Sequence, residues 1–330
     1  MDKKRLKVGI IGCGGIANGK HMPSIKAVNM ADMVAFCDLI EERAVKAAKE
    51  YGVPGAKVYT DYKELLADPE IDVVHVCTPN RSHADISIDA MHAGKHVMCE
   101  KPMAKSAADA RRMVAAAKET GKKLTIGYQH RHKAEAQYVK KVIERGDLGD
   151  MYFAEAFAVR RRGTPNWGVF LNEYEQGGGP LIDIGTHSLD LTLYLLNNYK
   201  PRMAVGTTYK KLTNPDQANP WGPWDEKQHT MEDAAFGFIV MENGATIILK
   251  ATWALNTCEP VPEGSVMICG SKAGAQIKNG VTINKDEFGR LVDIHPDMKA
   301  GGVAFYDGVA ETAPITEQRR WYEALYNDTD

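Results

Sequence analysis

Three side chains in this sequence have the chemistry to take a proton from an alcohol and to steady the oxygen left behind: Lys101, Asp183 and His187. Asp183 and His187 stand four apart in a segment that reads as a helix, so they share one face, and Asp190, three further on, stays near it. Lys101 stands at the end of a short strand, after Glu100, and is fixed before Pro102. Hydride transfer from an alcohol needs a base for the hydroxyl proton, positive charge near the developing alkoxide, and a group that holds the base in place. An imidazole has the intrinsic pKa for the first task; a lysine supplies the second and a carboxylate the third. Each feature alone has an ordinary reading. A Lys–Pro pair is usually a solvated strand end, and an i,i+4 Asp–His pair a helix-surface contact. A metal held by Asp183, His187 and Asp190 would need further ligands that the sequence does not offer, so no metal is expected.

The case for chemistry depends on a cofactor, and the sequence has a place for one. Leu6–Ile11 is a β-branched run that stops in Gly12-Cys13-Gly14-Gly15-Ile16-Ala17. Gly12, Gly14 and Ala17 fit the spacing of a dinucleotide-binding turn. There the first glycine permits the bend, the second lets the backbone approach a pyrophosphate, and the third, small residue lets helix and strand pack closely. Val34-Ala35-Phe36-Cys37 reads as the next strand and ends in Asp38, roughly twenty residues past the glycines, where a ribose-binding acid belongs. Asp38 is followed by Leu39-Ile40 rather than a small residue and an arginine. A carboxylate accepts both ribose hydroxyls and repels a 2′-phosphate, which favours NAD over NADP; Arg43 nearby leaves that choice open.

Length and composition bound the rest. At 330 residues two domains are expected. The 41 basic and 43 acidic residues give a net charge of −2, which removes any global electrostatic argument for nucleic acid or membrane partners. The basic start, Met1-Asp2-Lys3-Lys4-Arg5, precedes an apolar run too short for a secretory signal. The six cysteines form no C-x-x-C pair and read as reduced thiols of a cytoplasmic protein.

Up to residue 127, strand and helix signals alternate with short connections, which implies right-handed crossovers and a doubly wound parallel sheet of Rossmann type. Ligands bind such sheets at the carboxyl ends of strands. Those ends carry Asp38, Thr78-Pro79-Asn80, Glu100-Lys101-Pro102 and Tyr128-Gln129, which are expected to converge on one crevice. Beyond residue 128 the rhythm changes. A charged helix (132–145) and a strand (151–159) are followed by a helix entered through Gly177-Gly178-Gly179-Pro180 and continuing to Leu196. Consecutive strands come next, with a hairpin signal at Glu242-Asn243-Gly244. The expectation for 128–330 is an α+β domain with a mostly antiparallel sheet.

Gly-Cys-Gly-Gly-Ile-Ala, Cys77-Thr78-Pro79-Asn80, Cys99-Glu100-Lys101-Pro102 and Asp183-Ile184-Gly185-Thr186-His187 together resemble the Gfo/Idh/MocA oxidoreductases, from the N-terminus to about residue 255. The resemblance implies NAD(P)-dependent oxidation or reduction of sugars, inositols and related polyols, and a second domain used for homodimer or homotetramer contacts. By position it makes Lys101, Asp183 and His187 the catalytic set and Asp190 a ligand of substrate hydroxyls. It makes Glu100, Asn80 and Gln129 neighbours of the nicotinamide half. The full cofactor set is then Gly12, Gly14, Gly15, Ile16, Ala17, Asp38, Thr78, Pro79, Asn80, His83, Glu100, Lys101 and Gln129. Arg160 and Trp167, in Arg160-Arg161-Arg162-Gly163-Thr164-Pro165-Asn166-Trp167, read as substrate contacts or as a solvated strand end with a packing indole. Trp221 and Trp224 suit a sugar-stacking lid or a subunit contact equally. A fainter resemblance of 160–170 and the Gly-Pro-Trp-Asp loop points to members acting on glucosides at the 3-hydroxyl. The family continues past the helix-like 318–326 where this chain stops, so a shortened or incomplete second domain is expected. Two other functions share these features: a glycosidase that uses NAD transiently, and a non-catalytic dinucleotide-responsive regulator.

Overall fold

The computed structural model describes residues 5–214, 218–298 and 311–329; the basic residues 1–4 lie outside them. The chain divides into two units, Met1–Gln129 together with Glu311–Asp330, and His130–Ala310.

In the first unit β1 (Leu6–Ile11) is followed by a π-helical turn (Ala17–His21) and α1 (Met22–Val28). Then come β2 (Ala31–Cys37), α2 (Glu41–Tyr51), β3 (Lys57–Tyr59), α3 (Tyr62–Ala67) and β4 (Val73–Val76). The alternation continues through α4 (His83–His92), β5 (His96–Cys99), α5 (Ala107–Thr120) and β6 (Leu124–Ile126). The strands are parallel in the order β3-β2-β1-β4-β5-β6, as a doubly wound sheet requires. Helix ends follow local chemistry. At α5 the Asp109 amide donates to Ser106 Oγ at 3.1 Å, and Gly121 closes the helix at φ +64°. Cys13, Cys37, Cys77 and Cys99 are free and buried. β3 and α3 escape a sequence reading because they are short and only partly buried.

The second unit contains α6 (Ala134–Glu144), β7 (Met151–Val159), α7 (Glu173–Gln176), a second π-helical turn (Leu181–Gly185) and α8 (Thr186–Leu196). Strands β8 (Pro201–Tyr209), β9 (Ala234–Met241), β10 (Thr246–Thr252) and β11 (Val261–Gly270) follow. Three more, β12 (Ala273–Ile277), β13 (Val281–Glu287) and β14 (Arg290–Ile294), extend the sheet beyond the strands read from sequence. The order is β14-β13-β12-β11-β7-β10-β9-β8, antiparallel except for β7 beside β10. Val139, Leu191 and Leu195 from α6 and α8 bury one face with Ile247, Val266 and Ile268. The β9–β10 hairpin turns where expected, with Gly244 at φ +87° and the Ala245 amide donating to Asn243 Oδ1.

The helix α9 (Ala313–Asn327) corrects the expectation that everything from 128 onward belongs to the second domain. Trp321 and Tyr322 join Val8, Ile10, Met22, Ile25 and Phe36 in one buried cluster, and the Leu6 amide donates to Tyr326 Oη. A sequence reading cannot see this, because the apolar face of α9 finds its partners some three hundred residues earlier in the chain.

Candidate active site

The glycine turn has the geometry of a cofactor cradle. Gly12 has φ +91°, and a Cβ there would stand 2.7 Å from the Cys77 carbonyl oxygen. Around Gly14 and Gly15 a Cβ would meet nothing within 4 Å, so the backbone lies open to a pyrophosphate, and Ile16 is exposed beside it. Ala17 is fully buried, as close helix–strand packing requires. Asp38 accepts from the Cys13 amide through Oδ2 and from the Ile40 amide through Oδ1, both at 2.9 Å. A carboxylate offers about four lone-pair directions, so two remain for ribose hydroxyls. These residues fit a dinucleotide. Burial, with Asp38 next, raises the Cys13 thiol to about 12, which keeps it protonated and inert beside the turn.

At the other strand ends, Thr78 and Asn80 are half-buried and Pro79 is exposed. Lys101 and Gln129 are half-buried, and the Lys101–Pro102 peptide is cis. Two members of the expected cofactor set have partners within the protein. His83 is fully buried, with Nδ1 and Nε2 each 2.8 Å from a main-chain oxygen, of Pro102 and Thr78 respectively, and so ties the two strand ends together. Glu100 is also buried. Its Oε1 accepts from Lys20 Nζ at 2.7 Å and sits 2.8 Å from His21 Nε2, while Oε2 accepts from the Lys101 amide at 2.9 Å. Its carboxylate is committed to protein donors.

In the second unit the π turn carries Asp183, and His187 lies buried in the first turn of α8. π-helical turns recur at functional positions because the extra residue redirects side chains. Asp183 Oδ2 accepts from the Trp253 indole Nε1 at 2.9 Å, and that indole is fully buried. The His187 ring packs against His130, centroids 4.6 Å apart. Gly264 makes this packing possible, since a Cβ there would stand 2.0 Å from His130 Nδ1. Ser188, next along the helix, donates to the Phe157 carbonyl and accepts from the Gly264 amide, which fixes α8 to its sheet.

Asp190 has a partner the sequence did not reveal. Arg131 grips both its oxygens, Nε to Oδ2 at 2.8 Å and Nη2 to Oδ1 at 2.5 Å. Burial raises the Asp190 pKa against that pull, and the arginine occupies one lone pair on each oxygen. Arg160 donates to Gly163 O and Glu263 and stacks on Trp221, whose ring meets Trp167 edge-on at 4.9 Å. Asn219 exchanges two bonds with the Thr164 backbone, and Asn166 reaches the carbonyls of Trp221 and Pro223. The two tryptophan-bearing segments are therefore one stitched structure.

His229 is buried, its ring 6.0 Å from Trp224 and 6.4 Å from Trp253, and among the described residues neither ring nitrogen has a hydrogen-bond partner. Burial, then the Lys210 charge, lowers its pKa to about 4. An unfolded imidazole protonates below roughly 6.5, so the folded state binds fewer protons between there and about 4. Stability is full above the upper limit and falls as pH drops through that window. The melting temperature is expected to fall between pH 7 and pH 4.5, and a His229→Leu variant should lose a few degrees less over the same interval. Parallel melting curves for the two proteins would remove His229 from the account.

Residues 6–128 match the family model for oxidoreductases with an NAD-binding Rossmann fold, and residues 136–276 match the Gfo/Idh/MocA C-terminal domain. The chain belongs to the Gfo/Idh/MocA oxidoreductase family. Among its relatives, D-glucoside 3-dehydrogenase of Escherichia coli K12 is 38% identical over 280 residues, covering 84% of this chain and 78% of that protein. Inositol 2-dehydrogenase of Salmonella typhimurium LT2 is 32% identical over 197 residues, 59% of this chain and 56% of the other. Levoglucosan dehydrogenase solved with NADH shares the fold at a TM-score of 0.81 and 22% identity, over 99% of this chain and 91% of that one. The aldose–aldose oxidoreductase of Caulobacter crescentus, solved with glycerol, does so at 0.79 and 24%, with the same coverage. The Gfo/Idh/MocA membership makes the first unit an NAD-binding Rossmann domain and the protein an oxidoreductase. Among the described residues no helix is long and apolar enough to cross a membrane.

Proposed function

We infer that this protein is an NAD-dependent dehydrogenase of a secondary alcohol on a sugar, glycoside or cyclic polyol, with Lys101, Asp183 and His187 as its catalytic set. The observation that carries this reading is the entry to α8, where Asp183 is locked by a buried indole and His187 follows at once, in a family whose Rossmann half binds NAD. The named relatives, which oxidise a D-glucoside, inositol or levoglucosan by their descriptions, support the substrate class.

Bound NAD supplies the hydride acceptor. His187 takes the hydroxyl proton at an imidazole nitrogen as the carbinol hydrogen leaves, and Asp183, already fixed by Trp253, orients and steadies the charged ring. Lys101 donates a hydrogen bond to the same substrate oxygen and stabilises negative charge there. Thr78, Pro79, Asn80 and Gln129 bound the cofactor at the strand ends, and Trp167, half exposed beside Arg160, offers an aromatic wall to the sugar. Trp253→Phe keeps an aromatic ring, removes the bond to Asp183 and leaves a cavity where the indole was; it is expected to lower kcat about tenfold and stability by about 2–4 kcal/mol. Unchanged turnover in that variant would exclude the indole from the mechanism.

The reading extends to a cytoplasmic homodimer or homotetramer. Met203, Val205, Tyr209 and Phe238 hold large apolar side chains on exposed parts of β8 and β9, which a second copy would cover, and four free cysteines are buried in the first unit. Light scattering at micromolar concentration tests the assembly; a monomer would refute that part. The activity is tested with D-glucosides, myo-inositol and levoglucosan in the presence of NAD, following NADH and products together. Keto product in step with NADH is expected. Cleavage of a glycoside without NADH would indicate the transient-oxidation glycosidase, and NAD binding without turnover the regulator.

A further inference from the structure

The core of the first unit contains a closed polar chain that the reaction as described does not use. It joins the π turn, β4, β5 and α9 through Lys20, His21, His75, Glu100, Glu317 and Tyr322, all buried. Glu100 fixes its direction. Burial pushes this carboxyl up, but Lys20 and His21 overcome that and hold it well below the usual carboxylate range. An ionised carboxylate only accepts, so His21 Nε2 carries the proton it gives to Glu100 Oε1. Burial keeps both imidazoles neutral, lowering each pKa against any pull from Glu100. His21 Nδ1 is then an acceptor, and His75 Nδ1, 2.9 Å away, must be its donor. That leaves His75 Nε2 as an acceptor for the Tyr322 hydroxyl at 3.0 Å. Donation thus runs one way, from Tyr322 to His75, to His21, to Glu100. Lys20 bridges Glu100 at 2.7 Å and Glu317 Oε2 at 3.0 Å. Gly127 leaves room for this pair, since a Cβ there would stand 3.1 Å from Glu100 Oε1 and 3.2 Å from Lys20 Nζ. The far oxygen of Glu100 holds the Lys101 amide at 2.9 Å.

We propose that Glu100 is a positioning residue for Lys101, and that α9 sets it through the one-way chain Tyr322–His75–His21. The chain ends on the residue whose ammonium the reaction needs, so its function deepens the dehydrogenase reading and rests on it. Every link is an otherwise costly buried polar group satisfied by a single tautomer set, which leaves Glu100 one orientation and the Lys101 main chain one place. A misplacement of about 1 Å at a reacting group costs on the order of 100-fold in rate. A fully buried tyrosine on the last helix, which need touch no substrate, therefore bears on turnover.

The test uses the full-length protein and two variants, Glu100→Gln and Tyr322→Phe, with two readouts. The first is amide hydrogen exchange at Lys101 in the NAD-free protein. The second is kcat, the KM of a turned-over panel substrate and the Kd of NAD. Glu100→Gln is expected to speed Lys101 exchange at least about tenfold and to lower kcat about 100-fold, with KM and Kd within about threefold. Tyr322→Phe should move both in the same direction by several-fold and leave the Kd of NAD unchanged. Unchanged exchange at Lys101 in a folded Glu100→Gln protein overturns the proposal. Should that variant not fold, unchanged exchange in Tyr322→Phe overturns it. Faster exchange in a protein whose wild type oxidises none of the panel would sink the dehydrogenase reading and leave the positioning intact.

Discussion

Replacing Lys101 with methionine is expected to lower kcat by about 10²–10³-fold while changing the affinity for NAD less than about threefold. The side chain keeps its unbranched stem, one atom shorter, and loses its charge, so the variant removes stabilisation of the oxygen while leaving little empty space. The main chain at this position is secured independently, because its amide donates to Glu100, and Pro102 follows in a buried setting. The loss should fall on kcat and kcat/KM equally, as for an interaction made only when charge develops. A titration of NAD by protein fluorescence beside steady-state rates checks both halves. Full turnover in the variant would exclude the lysine, and a large loss of NAD affinity would make it a cofactor ligand instead.

Gly264→Ala is expected to reduce stability by about 2–4 kcal/mol and to cut activity by about tenfold or more. Two causes add. The residue has φ +73°, where a side chain is strained, and the new methyl would lie 2.0 Å from His130 Nδ1 and 2.5 Å from its Cε1. The His130 ring must move, and it packs 4.6 Å from His187, so a cost in stability arrives with a displaced His187 imidazole. The Gly264 amide also holds Ser188 Oγ, which ties α8 to the sheet. Denaturant unfolding and rate measurements on the same preparation test this. Adding His130→Ala should restore part of the lost stability, since it removes the clash but not the backbone strain. Wild-type stability in Gly264→Ala would refute the contact.

Features whose causes are local could be read from the sequence. The glycine turn, Asp38 at the end of β2 and the Asn-Gly hairpin each depend on a few neighbouring residues, and each is where it was expected. Asp183 and His187 were placed on one helix, but the π turn ending at Gly185 was not foreseen, because nothing in an apolar periodicity distinguishes five residues per bond from four. Nothing at a strand end or helix face signals the internal partners of Glu100, His83 and Asp190. Their partners, Lys20 and His21, the Thr78 and Pro102 carbonyls, and Arg131, come from other elements. Lys20 and His21 carried no signal of their own; their burial follows from the turn that precedes α1. β12–β14 were missed because their alternation is shallow, with β14 almost wholly solvated.

The placement of α9 has a consequence for biogenesis. The nucleotide-binding unit is built from two stretches of chain, residues up to 129 and from 311 onward, with all of residues 130–310 translated between them. Throughout that interval Tyr322 and Glu317 do not yet exist to satisfy His75 and Lys20, and the surface that Trp321 will cover faces water or a chaperone. The second unit, contiguous in sequence, has no such wait. The unit whose first strands precede the second unit is therefore completed only after the second unit has been made.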